Sequence, residues 1–162
     1  MGQDGLIRQA RTVIDVTPTL HTGEYASGDI MFNRAEIPNA VIEKGGCSKL
    51  LNVTYNSKKA DDHSYLVHLI TNNQSVGSAN DACNISAADG AAAGFLGSVT
   101  LSNDHDLGNF ATGGATKTGG FDSLNFLLQA ASDSTSIYFF VTTTSVATYA
   151  ADDLTFRFHI EY

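Results

Sequence analysis

The segment Asp153-Leu-Thr-Phe-Arg-Phe-His-Ile-Glu-Tyr162 alternates strictly between apolar and polar residues. Successive side chains of a β-strand point to opposite faces, so this segment has one apolar and one polar face. The apolar face carries Leu154, Phe156, Phe158, Ile160 and Tyr162, and the polar face carries Thr155, Arg157, His159 and Glu161. A period of two over this length predicts a half-buried strand at the C-terminal end of the sequence.

Similar runs of apolar, aromatic and β-branched residues recur along the chain and predict about nine strands in all. Besides the C-terminal strand, they lie at residues 13–16, 30–32, 40–42, 48–55, 64–71, 95–101, 123–129 and 136–144. Turn-forming pairs such as Gly45-Gly46 and Gly113-Gly114 separate them. The pattern predicts an all-β protein, an antiparallel β-sandwich of the jelly-roll type with at most one short helix.

That helix is predicted just after Ser86. Ser86 is a suitable N-cap, and Asp89 follows three residues later, as in a capping box. Gly90 and Gly94 weaken the helical tendency of the segment, so we expect only a short turn.

Length and composition favour a single folded domain. The chain has 162 residues, of which 43% are hydrophobic and only 16% charged, a balance opposite to that of disordered chains. Residues 1–11 are polar apart from Leu6 and Ile7, and we interpret them as a flexible arm, or one ordered by a partner. Residues 12–162 form the predicted β-sandwich domain. The N-terminus lacks the apolar run of a secretory signal, which favours a soluble protein made in the cytoplasm of its cell.

Charge is distributed unevenly along the sequence. The net charge is −8, which disfavours nucleic acid and anionic membranes as partners because both require clustered Lys and Arg. Residues 1–59 are nearly neutral, and the later residues hold most of the acidic groups. The difference is consistent with a solvated acidic surface, and also with an early segment that docks on a partner.

The sequence offers no pattern for catalysis or for a cofactor. The five histidines lack zinc-ligand spacing, and no serine lies in a nucleophile elbow. We expect His159 to face solvent, and His68 to be a core or interface residue. Cys47 and Cys83 are predicted to be small buried residues, reduced in a cytoplasm. We therefore expect a protein that is not an enzyme.

One segment offers hard oxygen ligands. Residues 102–109 contain Asp104, Asp106 and Asn109, whose side chains suit Ca²⁺, although the segment is too short for an EF-hand and lacks its final Glu. The alternative interpretation is a polar turn between strands.

An ordered set of short segments resembles small structural proteins of marine and cyanobacterial tailed phages. The likeness runs from about residue 20 to the C-terminal end, and its segments stand in this order: Ala26-Ser-Gly-Asp-Ile-Met-Phe, Ile37-Pro-Asn-Ala-Val, Gly45-Gly-Cys-Ser-Lys-Leu, Asn84-Ile-Ser-Ala-Ala-Asp, Phe95-Leu-Gly-Ser-Val-Thr, Asp106-Leu-Gly-Asn, Ala115-Thr-Lys, Leu127-Leu-Gln-Ala-Ala-Ser, Ser136-Ile-Tyr and Thr148-Tyr-Ala-Ala-Asp-Asp-Leu. The resemblance implies a place in the virion.

Within the virion, the resemblance favours a capsid decoration (cement) protein on the outer surface of the head. Its partner would be the major capsid protein, and analogy with other decoration proteins implies a homotrimer. From the charge asymmetry, the expected capsid-contact residues are Leu6, Ile7, Arg8 and Arg11. Two alternatives remain open: a tail, baseplate or host-attachment protein of the virion, and a jelly-roll module that binds carbohydrate or calcium.

Overall fold

The structure, a computed structural model, describes residues 10–59, 63–106, 111–115 and 126–162, and of residues 103–106 and 111–115 it describes the backbone. Within these residues lie one helix, α1 (Ala87–Ala93), and eleven strands. The strands are β1 (Arg11–Val16), β2 (Glu24–Tyr25), β3 (Ile30–Ile37), β4 (Cys47–Ser57), β5 (Tyr65–Ile70), β6 (Phe95–Asp106), β7 (Ala111–Ala115), β8 (Phe126–Gln129), β9 (Ile137–Thr143), β10 (Ala147–Thr148) and β11 (Leu154–Glu161).

The strand order is that of a jelly roll. The main sheet runs β1-β11-β4-β7-β6-β5-β9-β3, with β8 beside β7 on the same edge of β4. The antiparallel pairs are nested: β1 pairs with β11, β3 with β9, β4 with β7, and β5 with β6. Such nesting results when one long antiparallel hairpin wraps around a core, as in the two Greek keys of a jelly roll. The predicted fold class is confirmed.

The sheet folds into two layers whose inner faces form the core. One layer contains β1, β11, β4, β7 and β8, and the other contains β3, β9, β5 and β6. Phe139 of the second layer packs edge-on against two rings of the first, with centroid distances of 5.5 Å to Phe156 and 4.8 Å to Phe158. These rings are fully buried and therefore join the layers through apolar contact.

The alternation predicted for the C-terminal strand is confirmed. Leu154, Phe156, Phe158 and Ile160 of β11 are all buried in the core. Glu161 is an exception on the opposite face, because it is buried although it belongs to the polar side of the pattern.

The outer edge of β3 is covered by the connection between β5 and β6. The Ile30 amide donates to the Asp81 carbonyl at 2.9 Å, and the Ile30 carbonyl accepts from the Asn80 amide at 2.8 Å. Farther along this connection, Ser86 caps α1 by accepting a 3.1 Å hydrogen bond from the Asp89 amide, so the predicted helix is confirmed. Covering β3 satisfies backbone groups that an exposed edge would leave open to unwanted pairing.

Two local predictions are wrong. Residues 40–42 form bends instead of a strand, although Ala40 and Val41 are buried. The Gly113-Gly114 pair lies within β7 and not in a turn, since it pairs with β4 on one side and β6 on the other.

Candidate functional site

The structure places one of the four predicted capsid-contact residues. Arg11 is the first residue of β1, one position before the predicted start of the domain, and its side chain is 66% exposed. Leu6, Ile7 and Arg8 lie outside the described residues.

The structure describes only the first part of the candidate calcium segment, residues 102–106. β6 continues to Asp106, so Asp104 and Asp106 are strand residues by their backbone. Asn109 lies outside the described residues. Among the side chains that the structure does describe, no three His, Cys, Asp or Glu groups are placed to hold a metal ion.

Around Arg11, the outward-facing residues of three neighbouring strands form a continuous surface, which we name the β1 face. It consists of Arg11, Val13 and Asp15 of β1, Arg157, His159 and Glu161 of β11, and Lys49 and Leu51 of β4. The register places Arg11 opposite Glu161 and Asp15 opposite Arg157, so opposite charges are neighbours across the strands.

Glu161 is held between two cations. Its Oε2 accepts a 2.9 Å hydrogen bond from Arg11 Nε, and its Oε1 lies 3.8 Å from Lys49 Nζ. The carboxylate is only 8% exposed, whereas both cations reach solvent. Because a buried carboxylate needs a partner, this pairing ties the first residue of β1 to the end of β11.

Asp15 and Arg157 form a second pair on this face. Arg157 donates from Nε to Asp15 Oδ1 at 2.7 Å and from a terminal nitrogen to Oδ2 at 2.8 Å. The hydrogen bonds and charge of Arg157 hold the pKa of Asp15 below its usual range, and those of Asp15 raise the pKa of Arg157. Two parallel bonds fix the relative geometry of both side chains.

Between the two ion pairs lies a shallow depression of about 340 Å³. Val13, Leu51 and His159 contribute to its lining, and Val13 is 52% exposed. His159 is half-buried, so the expectation that it simply faces solvent is only partly met. The β1 face thus combines paired charges with exposed apolar side chains.

The opposite outer face of the sandwich carries His68. Its Nδ1 lies 2.7 Å from Ser98 Oγ and its Nε2 lies 3.1 Å from Thr142 Oγ1. Its ring stacks on Phe140 and is half-buried, so the prediction that His68 is a core or interface residue is only partly met. Burial lowers the pKa of His68 to about 4, which makes it a weak general base at neutral pH.

Both cysteines are exposed and free, so the prediction that they are buried is wrong. Cys47 begins β4, and Cys83 lies in the connection that covers β3. Both cysteines follow turn segments. The apolar alternation that would place a small side chain in the core does not extend to these positions.

Among the residues that the structure describes, no helix is long and apolar enough to cross a membrane. No family model, no curated protein and no solved structure matches the chain.

Proposed function

We propose that this chain is a virion structural protein of a tailed phage that decorates the outer surface of the capsid. In this role it would contact the major capsid protein and bridge neighbouring subunits. The ordered resemblance to small phage structural proteins supports the virion, and the β1 face supports a binding role. The observation that carries the proposal is the β1 face itself, in which paired charges lie beside exposed apolar side chains.

Charge supports the β1 face as the side that docks. It holds three cations, Arg11, Lys49 and Arg157, and two carboxylates, although the whole chain has a net charge of −8. The carboxylates are already paired within the face. Such a surface can approach another protein without strong long-range repulsion, while the acidic remainder keeps decorated particles apart.

Strand position gives a route for the contact. β1 is the terminal strand of the sheet order and pairs with β11 along one edge. An extended arm that leaves such a strand can add backbone hydrogen bonds to a neighbouring sheet, in the capsid or in another copy of this chain. Many copies acting together on a symmetric shell would stabilise it even when each contact is weak.

A cryo-electron microscopy map of the virion that encodes this chain tests the proposal. We expect its density on the outside of the head, at local symmetry axes or capsomer junctions, as trimers whose β1 face points to the capsid. Density confined to the tail or its fibres would replace decoration with host attachment. Absence from the particle would overturn any virion role.

Variants separate the arm from the face. We expect heads that lack the protein to bind added wild-type chain, and deletion of residues 1–9, which leaves Arg11 and the rest of β1 in place, to weaken binding at least tenfold. Val13→Asp would place a charge in the exposed apolar part of the face and also weaken binding. The matched control is Val146→Asp, because Val146 is similarly exposed, at 59% against 52% for Val13, but lies outside the β1 face. Undiminished binding by the deletion variant would contradict the role of the arm.

A further inference from the structure

A second surface, separate from the β1 face, lies at the N-terminal end of β9. Tyr138 is in register with Glu36 of β3 on one side and Ile70 of β5 on the other. Its half-buried ring lies between two depressions, of about 360 and 270 Å³. Tyr138 and Asn73 line both depressions, so they form one continuous surface, which we name the Tyr138 trough.

Polar side chains surround this ring and are held by hydrogen bonds. Arg34 Nε donates to Asn73 Oδ1 in the larger depression. Ser136 Oγ donates to Glu36 Oε1 at 2.6 Å, and Asn72 Nδ2 donates to the Ala92 carbonyl at 2.8 Å. Fixed side chains lose little conformational entropy on binding, and this favours a ligand that needs directed hydrogen bonds.

The charges of the trough are mixed. Arg34 and Glu36 border the larger depression, and the exposed carboxylate of Asp133 borders the smaller one. A ligand with a net charge of either sign would meet a like charge here. Burial, with the nearby carboxylates Glu36 and Asp133, raises the pKa of Tyr138, so its hydroxyl stays protonated and can donate.

From this arrangement we infer that the Tyr138 trough binds a neutral oligosaccharide. A sugar ring has an apolar face of C–H groups that can pack on the tyrosine ring, and hydroxyls around its rim that pair with planar side chains. Asn73, Asp133 and Arg34 supply both donors and acceptors for such hydroxyls. The inference is independent of the proposed capsid role.

The two depressions define the length of the ligand. Each is near the lower limit of ~300 Å³ for a small-molecule pocket, and Tyr138 lies where they meet. A saccharide of two or more rings can occupy both depressions and cross the tyrosine, whereas a single ring can fill only one. We therefore expect an oligosaccharide to bind more tightly than its constituent monosaccharide.

The experiment begins with an array of neutral oligosaccharides built from glucose, galactose and mannose, together with acidic oligosaccharides. The neutral oligosaccharide with the strongest signal is then titrated by calorimetry, alongside its monosaccharide. We expect binding in the micromolar to millimolar range and weaker binding of the monosaccharide. The inference is overturned if no neutral oligosaccharide binds with a dissociation constant below about 10 mM, or if only acidic oligosaccharides bind.

Variants locate the site. Tyr138→Ala should weaken binding about tenfold or more, and Tyr138→Phe should keep most of it because the ring remains. Since Tyr138 also packs against a small buried cluster, Asp133→Ala gives a second variant on an exposed loop residue. Phe95→Ala is the control, because Phe95 is an exposed aromatic residue of the same layer outside the trough. Wild-type affinity in both Tyr138→Ala and Asp133→Ala would place the ligand elsewhere and overturn the assignment.

Discussion

The imidazole of His68 lies almost flat against the ring of Phe140, with centroids 4.5 Å apart and planes inclined by 19°. Its two nitrogens face the hydroxyls of Ser98 and Thr142. A neutral imidazole has one donor and one acceptor nitrogen, and each hydroxyl can take either role. Burial lowers the pKa of His68 to about 4, so the folded protein keeps this side chain neutral well below neutral pH.

This pKa predicts a defined acid sensitivity. Unfolded His68 takes up its proton near pH 6.5, whereas folded His68 takes it up only near pH 4. The unfolded state therefore binds more protons between these values, and the free energy of unfolding should fall by roughly 3 kcal/mol as the pH decreases through this window. Above about pH 7 and below about pH 4, His68 should contribute no pH dependence.

Urea unfolding of the wild type and of His68→Gln at pH 7, 5.5 and 4 measures this effect. We expect the stability of the variant to vary less over the range, with the difference confined to this window. Leu127→Ala is the control, since Leu127 is 64% exposed and carries no titratable group, and it should keep the pH dependence of the wild type. Parallel pH profiles for wild type and His68→Gln would contradict the prediction.

The fold could be predicted where the periodicity of the sequence is strong. The alternation of residues 153–162 predicts both the strand and its buried face, and the side chains of Phe156 and Phe158 are indeed in the core. β7 could not be predicted, because Ala111-Thr-Gly-Gly-Ala has low β-propensity, and it is a strand because β4 and β6 pair with it on both sides. Residues 40–42 show the converse, since the side chains of Ala40 and Val41 are buried although the backbone there is bent and not a strand.

The candidate sites depended on contacts between distant segments. The sequence marks Arg11 by its charge, but its partner Glu161 is 150 residues away. The alternation of the C-terminal strand places Glu161 on the polar face and gives no sign that it is buried. The sequence marks Tyr138 only as part of the predicted strand at residues 136–144. The trough arises because the ends of β3, β5 and β9 bring Arg34, Asn73 and Asp133 near it, which no local pattern reports.

The contact between Phe139 and Phe158 predicts how much the free energy of unfolding falls when a core ring is removed. Phe139→Ala removes a ring that packs against both layers, and it should reduce the free energy of unfolding by about 3–5 kcal/mol. Phe139→Leu should cost less, since it preserves more of the volume. Leu127→Ala is the control, because Leu127 is 64% exposed, and it should change stability by less than about 0.5 kcal/mol. Chemical denaturation of the three variants checks the order, and a Phe139→Ala cost similar to that of Leu127→Ala would contradict it.

The N-cap of α1 gives a local prediction. Ser86→Ala removes the acceptor for the Asp89 amide and should cost about 1 kcal/mol, mostly as fraying of this short helix. Hydrogen exchange should show faster exchange of the Asp89 amide in the variant, with strands β4 and β11 unchanged. Ser86→Thr keeps a hydroxyl that can accept from the Asp89 amide and donate to the Asp89 carboxylate, and it should restore slow exchange. Equal exchange rates in wild type and Ser86→Ala would show that the cap is not needed.

Gly97 and Phe126 predict a steric effect that is separable from backbone strain. A Cβ at Gly97 would lie 2.4 Å from Phe126 Cζ, and the residue has a φ of +151°. Gly28 also has a positive φ, +91°, but a Cβ there would have nothing within 4 Å. Gly28→Ala should therefore show the backbone cost alone, about 1–2 kcal/mol. Gly97→Ala should cost about 2–4 kcal/mol, because the clash is added to the strain.

A double-mutant cycle separates the two terms. In a Phe126→Ala background, Gly97→Ala should cost about as much as Gly28→Ala does in the wild type, because only the backbone strain remains. Thermal or urea unfolding of the four proteins of the cycle, together with Gly28→Ala, provides the comparison. Phe126 begins β8, which pairs with β4 next to β7. A smaller cost of Gly97→Ala in the Phe126→Ala background would show that Gly97 leaves the space that this ring occupies. An unchanged cost in the Phe126→Ala background would instead assign the effect of Gly97→Ala to its backbone conformation.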